Sequence, residues 1–412
     1  MMNKQSFGRF KSFAALAAVA TILTLAVRPG LSAGADSDLS AVVKDNNAFA
    51  FDLYSRLKTK PGNIIFSPYN ISSALAMTYA GAKGETARQM AQALHFTLGQ
   101  DRLHPALAQL TKDLNARGGS GKYELVVANR LWGAKGETFL PAFLDLNKKF
   151  YGAGFEVVDF AADPEKARGI INKWADELTR GKIKDPVPPG GISADMKLVL
   201  ANAIYFKGKW LTQFKKADTK DTPFFLSPDK QVKVPMMYQR ARFNWGETGD
   251  LQFLEMPYLG NELSMLVLLP VNKDGLAGLE SKLSPEFING LIASGQSEEV
   301  FVYLPRFKLE FGAELSELLP KMGMTNAFSG AADFSGMTGQ RDILLSKVLH
   351  KAMVDVNEEG TEAAAVTVVT MPPAASAPKI SIFRADHPFL FLFRDNKTGS
   401  ILFLGRVLDP RG

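Results

Sequence analysis

The sequence predicts an α+β protein, with helices concentrated in the first half of the chain and mostly antiparallel strands in the second. Apolar residues recur at helical spacing over residues 47–57, 87–94 and 163–178. The second half contains alternating apolar runs without regular βαβ alternation, which favours antiparallel sheets.

Each predicted strand rests on a local apolar pattern bounded by turn residues. Residues 197–206 alternate, with Leu198, Leu200 and Ile204 on one face, and Pro68 after residues 64–66 indicates a short strand leading into a helix. The other predicted strands are 231–235, 251–269, 300–311, 343–356, 389–393 and 401–408, with turns at Gly246, at Gly260-Asn261 and at 395–399.

The composition is that of an ordinary globular protein. Of 412 residues, 46% are hydrophobic and 22% are charged, which provides enough apolar material for a large core. The chain has no cysteine, which excludes disulfides, thiol catalysis and cysteine metal sites. Its four histidines lack metal-ligand spacing, so neither a metal nor a cofactor is expected.

The first 35 residues have the pattern of a secretory signal peptide. Three basic residues precede an apolar run over residues 13–27, and Ala33-Gly34-Ala35 resembles a cleavage site. The run is shorter than the ~20 residues that a membrane-spanning helix needs. We therefore expect residues 1–35 to be removed and residues 36–412 to form one secreted domain, either extracellular or periplasmic.

Removal of this segment changes the charge of the protein. The whole chain has a formal net charge of +6, and residues 1–35 contain four basic residues and no acid, which leaves +2. So small an excess gives no reason to expect binding to nucleic acid, or to a membrane after signal cleavage.

Residues 359–378 do not fit an ordinary connection between strands. Residues 363–378 carry no charge, residues 366–370 have strong strand propensity, and three prolines follow. A β-prone run left unpaired is an aggregation hazard, so a segment that is loop in one state and strand in another resolves the conflict. A flexible loop between two strands is the alternative interpretation.

The side chains of this segment suit a change from loop to strand. The alternate residues Thr361, Ala363, Ala365 and Thr367 are small, so this face could enter a sheet without a bulky or charged obstacle. Glu362 has the opposite parity and would stay in solvent.

Several motifs resemble those of the serpin family of protease inhibitors. The sequence Glu358-Glu359-Gly360-Thr361-Glu362-Ala363-Ala364-Ala365 is similar to the hinge of inhibitory serpins. Further matches, in the family's order, cover nearly the whole chain after residue 35. They are residues 63–68, 202–210, 234–237, 333–337 and 383–389. The chain therefore resembles an exported inhibitory serpin of the prokaryotic type.

The resemblance implies a fold and a mechanism. The family fold has three mostly antiparallel β-sheets, eight or nine helices and an exposed reactive-centre loop, here at about residues 358–378. A serine protease cleaves this loop, the loop inserts into the main sheet, and the protease is trapped as a covalent acyl complex, a known case of strand addition. The protein would then be an inhibitor rather than an enzyme, with the target protease as its partner, and a monomer.

The usual length of the family's loop locates the bond to be cleaved. Counting seventeen residues from Glu358 gives the bond between Ala374 and Ala375, with Ala375, Ala377 and Met371 as alternatives for the residue before the cut. A small residue there suits elastase-like or subtilisin-like proteases, because a pocket for Arg or Lys would gain nothing from it. The expected recognition residues are Met371, Pro372, Pro373 and Ser376.

Asn202 and His350 interrupt the apolar faces of two predicted strands. An unpaired buried polar group costs about 1–3 kcal/mol, so we expect these side chains to bond to each other and to Ser67. The resemblance adds that these three residues, called the shutter below, lie where the main sheet opens. Family members usually carry a second serine where this chain has Asn70.

The resemblance also implies an ion pair at the top of the hinge strand. Glu358 matches an acidic residue of the family, and Arg306 matches a basic residue on the neighbouring strand. We expect the two to pair near Trp210, where insertion begins; these three residues are called the breach below.

A non-inhibitory serpin, acting as a carrier, chaperone or storage protein, is the main alternative function. The small residues of the hinge argue against it, because a loop that does not insert has no need of them.

Overall fold

The computed structural model describes residues 29–118, 122–152, 154–360 and 381–412, and within these ranges the chain has the predicted α+β architecture. The helices are α1 (Pro29–Leu57), α2 (Pro68–Tyr79), α3 (Gly84–Ala93), α4 (Gln100–Gly118), α5 (Pro141–Tyr151), α6 (Pro164–Leu178), α7 (Leu276–Glu280), α8 (Pro285–Ser294), α9 (Leu318–Lys321) and α10 (Ser335–Thr338). The strands are β1 (Ile64–Phe66), β2 (Tyr123–Ala134), β3 (Phe155–Val158), β4 (Leu198–Gly208), β5 (Lys220–Ser227), β6 (Lys230–Thr248), β7 (Leu251–Pro257), β8 (Leu263–Pro270), β9 (Gln296–Pro305), β10 (Phe307–Glu314), β11 (Lys347–Val356), β12 (Ser381–Arg384), β13 (Phe389–Asp395) and β14 (Ile401–Val407).

The smaller sheet has five strands in the order β10-β11-β4-β2-β3. Its central strands β4 and β11 pair in parallel, whereas β4 pairs antiparallel with β2 and β11 pairs antiparallel with β10. Strands β5 to β10 lie between β4 and β11 in the sequence, yet β4 and β11 are neighbours in the middle of this sheet.

The larger sheet has nine strands, and the 19-residue strand β6 joins its two parts. The first part of β6, residues 230–236, pairs with β5, residues 236–245 pair with β9, and residues 244–248 pair with β7. The order β1-β14-β13-β8-β7 continues from there, while β12 lies at the far edge beside β9. These two parts and the five-stranded sheet correspond to the three sheets that the family resemblance implies.

Helix α2 shows how local sequence sets an element's start. The Ser67 hydroxyl accepts a hydrogen bond from the Asn70 backbone N–H, and Pro68 occupies the first helical turn, where its missing N–H costs nothing. Every residue of α2 is buried. This helix therefore runs through the interior and carries polar groups to the five-stranded sheet.

Strand β4 is buried on both faces. Ile204 and Phe206 pack in the apolar core between the two sheets. Val199, Ala203 and Tyr205, of the opposite parity, pack against helix α6. The centre of the five-stranded sheet is thus covered on both sides, which explains the near-continuous apolar sequence of this strand.

Three details of the predicted elements differ from the structure. The single strand predicted over residues 300–311 is divided at Arg306 into β9 and β10, which lie in different sheets. The turn predicted at Gly246 is wrong, because this glycine lies within β6 and the chain turns at Gly249, whose φ is +51°. Ten helices are present in the described residues, and three of them have only four or five residues. Such short helices give too little apolar periodicity to be counted from sequence.

Candidate functional site

The candidate site is the boundary between β4 and β11, called the seam below. The two strands pair from Lys347 opposite Val199 to Val354 opposite Phe206. Because the chain leaves β11 at one end of the seam, a following segment that turned back along the sheet would run antiparallel to both strands. The seam is therefore the place where residues after β11 could add a strand.

Backbone hydrogen bonds hold the start of the hinge at the end of the seam. The Phe214 N–H donates to the carbonyl oxygen of Glu358 at 2.9 Å, and the Trp210 N–H donates to that of Glu359 at 3.2 Å. The indole Nε1 of Trp210 donates to the carbonyl oxygen of Asn357 at 3.0 Å. The side-chain oxygen of Asn357 also accepts a hydrogen bond from the Glu359 N–H at 3.1 Å. Sequence reasoning missed Asn357, because these contacts depend on the path of the folded chain.

The breach residues Trp210, Arg306 and Glu358 lie together at this end. Glu358 is only 3% exposed, and its Oε1 accepts a hydrogen bond from the Thr219 hydroxyl at 2.8 Å. The same oxygen lies 3.9 Å from Nη1 of Arg306, whose side chain is 51% exposed. Solvent weakens an ion pair with so exposed a partner. Thr219, which the sequence did not single out, lies closer to Glu358 than Arg306 does.

Trp210 is fixed by aromatic packing. Its ring stacks on Tyr258 with a centroid distance of 4.4 Å and an interplanar angle of 13°. Phe214 meets it edge-on at 6.4 Å. Offset stacking and burial together hold the indole as a rigid support for the chain that passes it.

Gly360 is the last described residue before the loop, and no other residue fits there. Its φ is +85°, in the left-handed region that favours glycine. An added Cβ would lie 2.2 Å from the backbone nitrogen of Trp210 and 2.5 Å from the carbonyl oxygen of Gly208. The hinge therefore passes directly against the backbone that follows β4.

The shutter residues Ser67, Asn202 and His350 lie together in the middle of the seam. The Ser67 backbone N–H donates to Nε2 of His350 at 3.2 Å, so the ring proton is on Nδ1, which donates to the Asn202 side-chain oxygen. The Asn202 amide donates to the carbonyl oxygen of Asn70 at 2.8 Å and to Oδ1 of Asn129 at 2.6 Å. Sequence reasoning missed Asn129, which lies on β2 opposite Asn202.

Burial controls the protonation of His350. It lowers the pKa of the imidazole to about 3, so the ring is neutral at pH 7. The neutral ring accepts one hydrogen bond and donates one, and both are made within the shutter. Because Asn202 and His350 lie opposite each other on β4 and β11, parting the seam must break this bond.

Asn70 marks the departure from the family's usual serine. Its side chain is buried, and neither Nδ2 nor Oδ1 has a hydrogen-bond partner among the described residues. The backbone of Asn70 serves the cluster, donating to Ser67 and accepting from Asn202. The substitution thus keeps the shutter's backbone contacts and adds an amide that those contacts do not use.

The remaining predicted residues of the loop lie outside the described residues. This applies to the rest of the hinge, to the recognition residues and to the bond itself. They are Thr361, Glu362, Ala363, Ala364, Ala365, Met371, Pro372, Pro373, Ala374, Ala375 and Ser376.

The described ranges show neither a metal-binding cluster nor a membrane-spanning helix. These ranges contain no group of three or more histidine and acidic residues placed to hold a metal ion. Within the same ranges, no helix has the length and apolarity needed to cross a membrane.

Comparison with known proteins points to one family. The family model described as "Serpin (serine protease inhibitor)" matches residues 44–410. The leukocyte elastase inhibitor of Bos taurus is 45% identical over 89% of this chain and 98% of its own length. Human serpin B3 is 43% identical over 90% of this chain and 100% of its own length.

Solved structures agree with these sequence matches. Uncleaved ovalbumin superposes with a TM-score of 0.83 at 32% identity, covering 90% of this chain and 100% of its own. Human thyroxine-binding globulin, in complex with thyroxine, has a TM-score of 0.83 at 30% identity, covering 91% of this chain and 100% of its own.

These relatives correct the predicted location. Leukocyte elastase inhibitors and serpins B3 and B4 are intracellular serpins of clade B, so the predictions of a signal peptide, of secretion and of an extracellular or periplasmic location are wrong. In the structure, α1 begins at Pro29 and runs through the predicted cleavage site at residues 33–35. The apolar run at residues 13–27 misled the prediction, because composition alone does not distinguish export signals from other apolar segments. The prokaryotic type is also unsupported. The single domain at residues 36–412 stays a prediction.

Proposed function

This chain belongs to the serpin family, which is described as a family of serine protease inhibitors rather than enzymes. We propose that it inhibits its target as a suicide substrate. The loop after Gly360 is the bait, and the seam between β4 and β11 is the acceptor for that loop after cleavage.

The first step is ordinary protease chemistry. The serine oxygen of the protease attacks the carbonyl carbon of Ala374, and the protease's histidine takes the serine proton. The tetrahedral intermediate collapses by breaking the bond to the nitrogen of Ala375, which leaves with that proton. The product is an ester between Ala374 and the protease, together with a new amino terminus at Ala375.

Insertion then competes with hydrolysis of the ester. The fourteen residues 361–374 reach up to about 46 Å when extended, whereas the eight paired positions of β4 need about 26 Å. The cleaved segment is therefore long enough to run antiparallel between β4 and β11. It carries the attached protease to the far end of the sheet, where distortion of the protease's catalytic residues prevents water from releasing it.

The observation that carries this proposal is the parallel pairing of β4 and β11, with the hinge fixed at its end. A strand returning from β11 is antiparallel to both neighbours and satisfies the hydrogen bonds of each. The breach holds the entry point, and the shutter must open for insertion to proceed. The small alternate residues of the hinge allow one face to slide into the sheet.

The proposed targets are elastase-like or subtilisin-like serine proteases. Ala374 before the bond suits a shallow or occluded primary pocket, and the prolines before it favour the extended backbone that protease clefts bind. The relatives named leukocyte elastase inhibitor support the elastase-like choice. We propose that the inhibitor is a monomer that meets one protease at a time.

The test is to mix the full chain with an elastase and with subtilisin, and to examine the products by denaturing gel and mass spectrometry. We expect a covalent complex that survives boiling and a released C-terminal peptide that begins at Ala375. The same protease, blocked beforehand at its active serine, should give neither product. Complete cleavage without complex across a broad protease panel would contradict the proposal and favour a carrier, chaperone or storage role.

A further inference from the structure

A basic cavity of about 620 Å³ lies at the breach end of the seam. This volume is typical of pockets that hold small-molecule ligands. Six cationic residues from separate parts of the chain line it. They are Lys182, Lys207, Lys216, Arg306, Lys308 and Arg411. A cleft with walls of one dominant charge concentrates the electrostatic potential and attracts ligands of opposite charge.

Cationic residues outnumber acidic residues in the wall of the cavity. Three carboxylates also line the wall, those of Asp355, Glu358 and Glu359, and Glu359 pairs with Lys216 at 2.5 Å. Arg411 pairs with Asp409, from outside the wall, at 2.7 Å. Among the charged residues of the wall, six are cationic and three are acidic, and they remain unequal in number when Asp409 is included.

The cations lie on both sides of strand β11, which is one of the two strands that form the seam. Lys308 of β10 is opposite Asp355 of β11, and Lys207 of β4 follows the last paired position of the seam, Phe206. Lys182 approaches the same end of β4, with its Nζ 5.7 Å from the ring centroid of Tyr205. A ligand that bridges Lys207 and Lys308 therefore crosses the line along which β4 and β11 must part.

We propose that this cavity binds a small polyanion with two or more carboxylate or phosphate groups, and that the bound ligand resists opening of the seam. Clustered anionic oxygens match the planar donors of arginine and the point charges of lysine. Binding stands on the geometry alone, whereas the effect on inhibition rests on the proposed function. A ligand that holds β4 to β11 slows insertion, so more loops are cleaved and released for each protease trapped.

Isothermal titration of the full chain with citrate, and separately with tripolyphosphate, tests the binding. We expect one site per chain, weakened about tenfold or more in the double variant Lys308→Ala/Arg411→Ala. The double variant Lys166→Ala/Lys233→Ala removes the same charge at exposed positions outside the cavity, and should bind like the parent.

Equal weakening in both double variants, or no binding of either probe, would overturn the cavity as a site. Binding of heparin fragments that strengthens with chain length, with no binding of citrate, would overturn the assignment to a small ligand. Citrate binding that does not saturate at one site per chain, and that Lys308→Ala/Arg411→Ala leaves unchanged, would also overturn the cavity as the binding site.

The consequence for inhibition is measured as the number of inhibitor molecules consumed per protease inhibited. We expect this number to rise about fivefold or more at saturating citrate in the parent chain and in Lys166→Ala/Lys233→Ala. It should stay unchanged in Lys308→Ala/Arg411→Ala. An unchanged number with the cavity occupied would overturn the regulatory role. If no covalent complex forms even without citrate, the proposed function fails, and the titration still decides whether the cavity binds anions.

Discussion

At the scale of single residues, Gly360 connects the seam to the loop. Its positive φ and its close approach to the backbone of Trp210 and Gly208 exclude a side chain. Glycine at this position of the hinge motif therefore has a physical cause that the sequence alone does not reveal.

We expect Gly360→Ala to destabilise the native protein by about 1–3 kcal/mol, because its Cβ must push against backbone atoms and its φ becomes strained. Thermal unfolding measures the effect as a lower midpoint. Gly312→Ala in β10 is the matched control, since an added Cβ there meets nothing within 4 Å. Equal midpoints for the two variants would contradict the described hinge geometry.

His350 makes stability depend on pH. Its pKa is about 3 in the folded protein, against an ordinary value of 6.5, because burial disfavours the charged ring. Below pH 6.5 the unfolded chain binds a proton that the folded chain excludes. The contribution of His350 to the free energy of unfolding is therefore constant above pH 6.5. It decreases toward pH 3, by up to about 1.4 kcal/mol per pH unit.

The urea midpoint should accordingly decrease between pH 6.5 and pH 4, and less steeply in His350→Gln. His104, whose pKa burial lowers to about 4, should account for part of the remaining slope. A parent slope retained in His350→Gln would show that the shutter histidine does not titrate as described.

At the scale of elements, the hinge must present one face to the interior of the sheet. Side chains alternate along a strand, so residues 361, 363, 365 and 367 share the face that the small-residue pattern assigns to the interior. β4 is buried along nearly its whole length, and β11 is buried on the face that carries Val348, Ala352 and Val354, which leaves no space for a long charged side chain on that side of the sheet.

We expect Ala363→Arg to convert the inhibitor into a substrate, because an arginine on the inserting face would have to be buried without a partner. Ala364→Arg is the matched control, since its side chain has the opposite parity. The fraction of protease recovered as covalent complex on a denaturing gel measures the difference. Equal complex yields for the two variants would contradict the assigned parity.

The sequence predicted elements well where their pattern was local. Strand β4 and helix α6 lie where their periodicities indicated, because alternation and helical spacing are properties of neighbouring residues. The turn predicted at Gly246 was wrong because glycine occurs in strand interiors as well as in turns, so the residue type alone does not distinguish the two.

The candidate site was predictable only where residue type signalled it. Asn202 and His350 stood out as polar residues in apolar strands, and the structure brings them together. Thr219 and Asn129 gave no such signal, because their partners depend on strand pairing between segments far apart in sequence. Long-range pairing of this kind cannot be derived from spacing.

At the scale of the whole molecule, the fold does not by itself determine the function. Ovalbumin and human thyroxine-binding globulin each share the architecture at a TM-score of 0.83. The fold alone therefore does not distinguish a protease inhibitor from a protein that carries a ligand. The relatives named elastase inhibitor and the small residues of the hinge support inhibition. Inhibition by this chain therefore requires that the cleaved loop enter the seam.

The most direct test is the thermal unfolding midpoint before and after a single cut within residues 361–380. If the cut loop becomes a strand between β4 and β11, it adds backbone hydrogen bonds on both sides, and the midpoint should rise by more than about 10 °C. The same cut in Ala363→Arg should give a smaller rise. An unchanged midpoint in the cut parent chain would show that the loop does not insert, and would contradict the proposed mechanism.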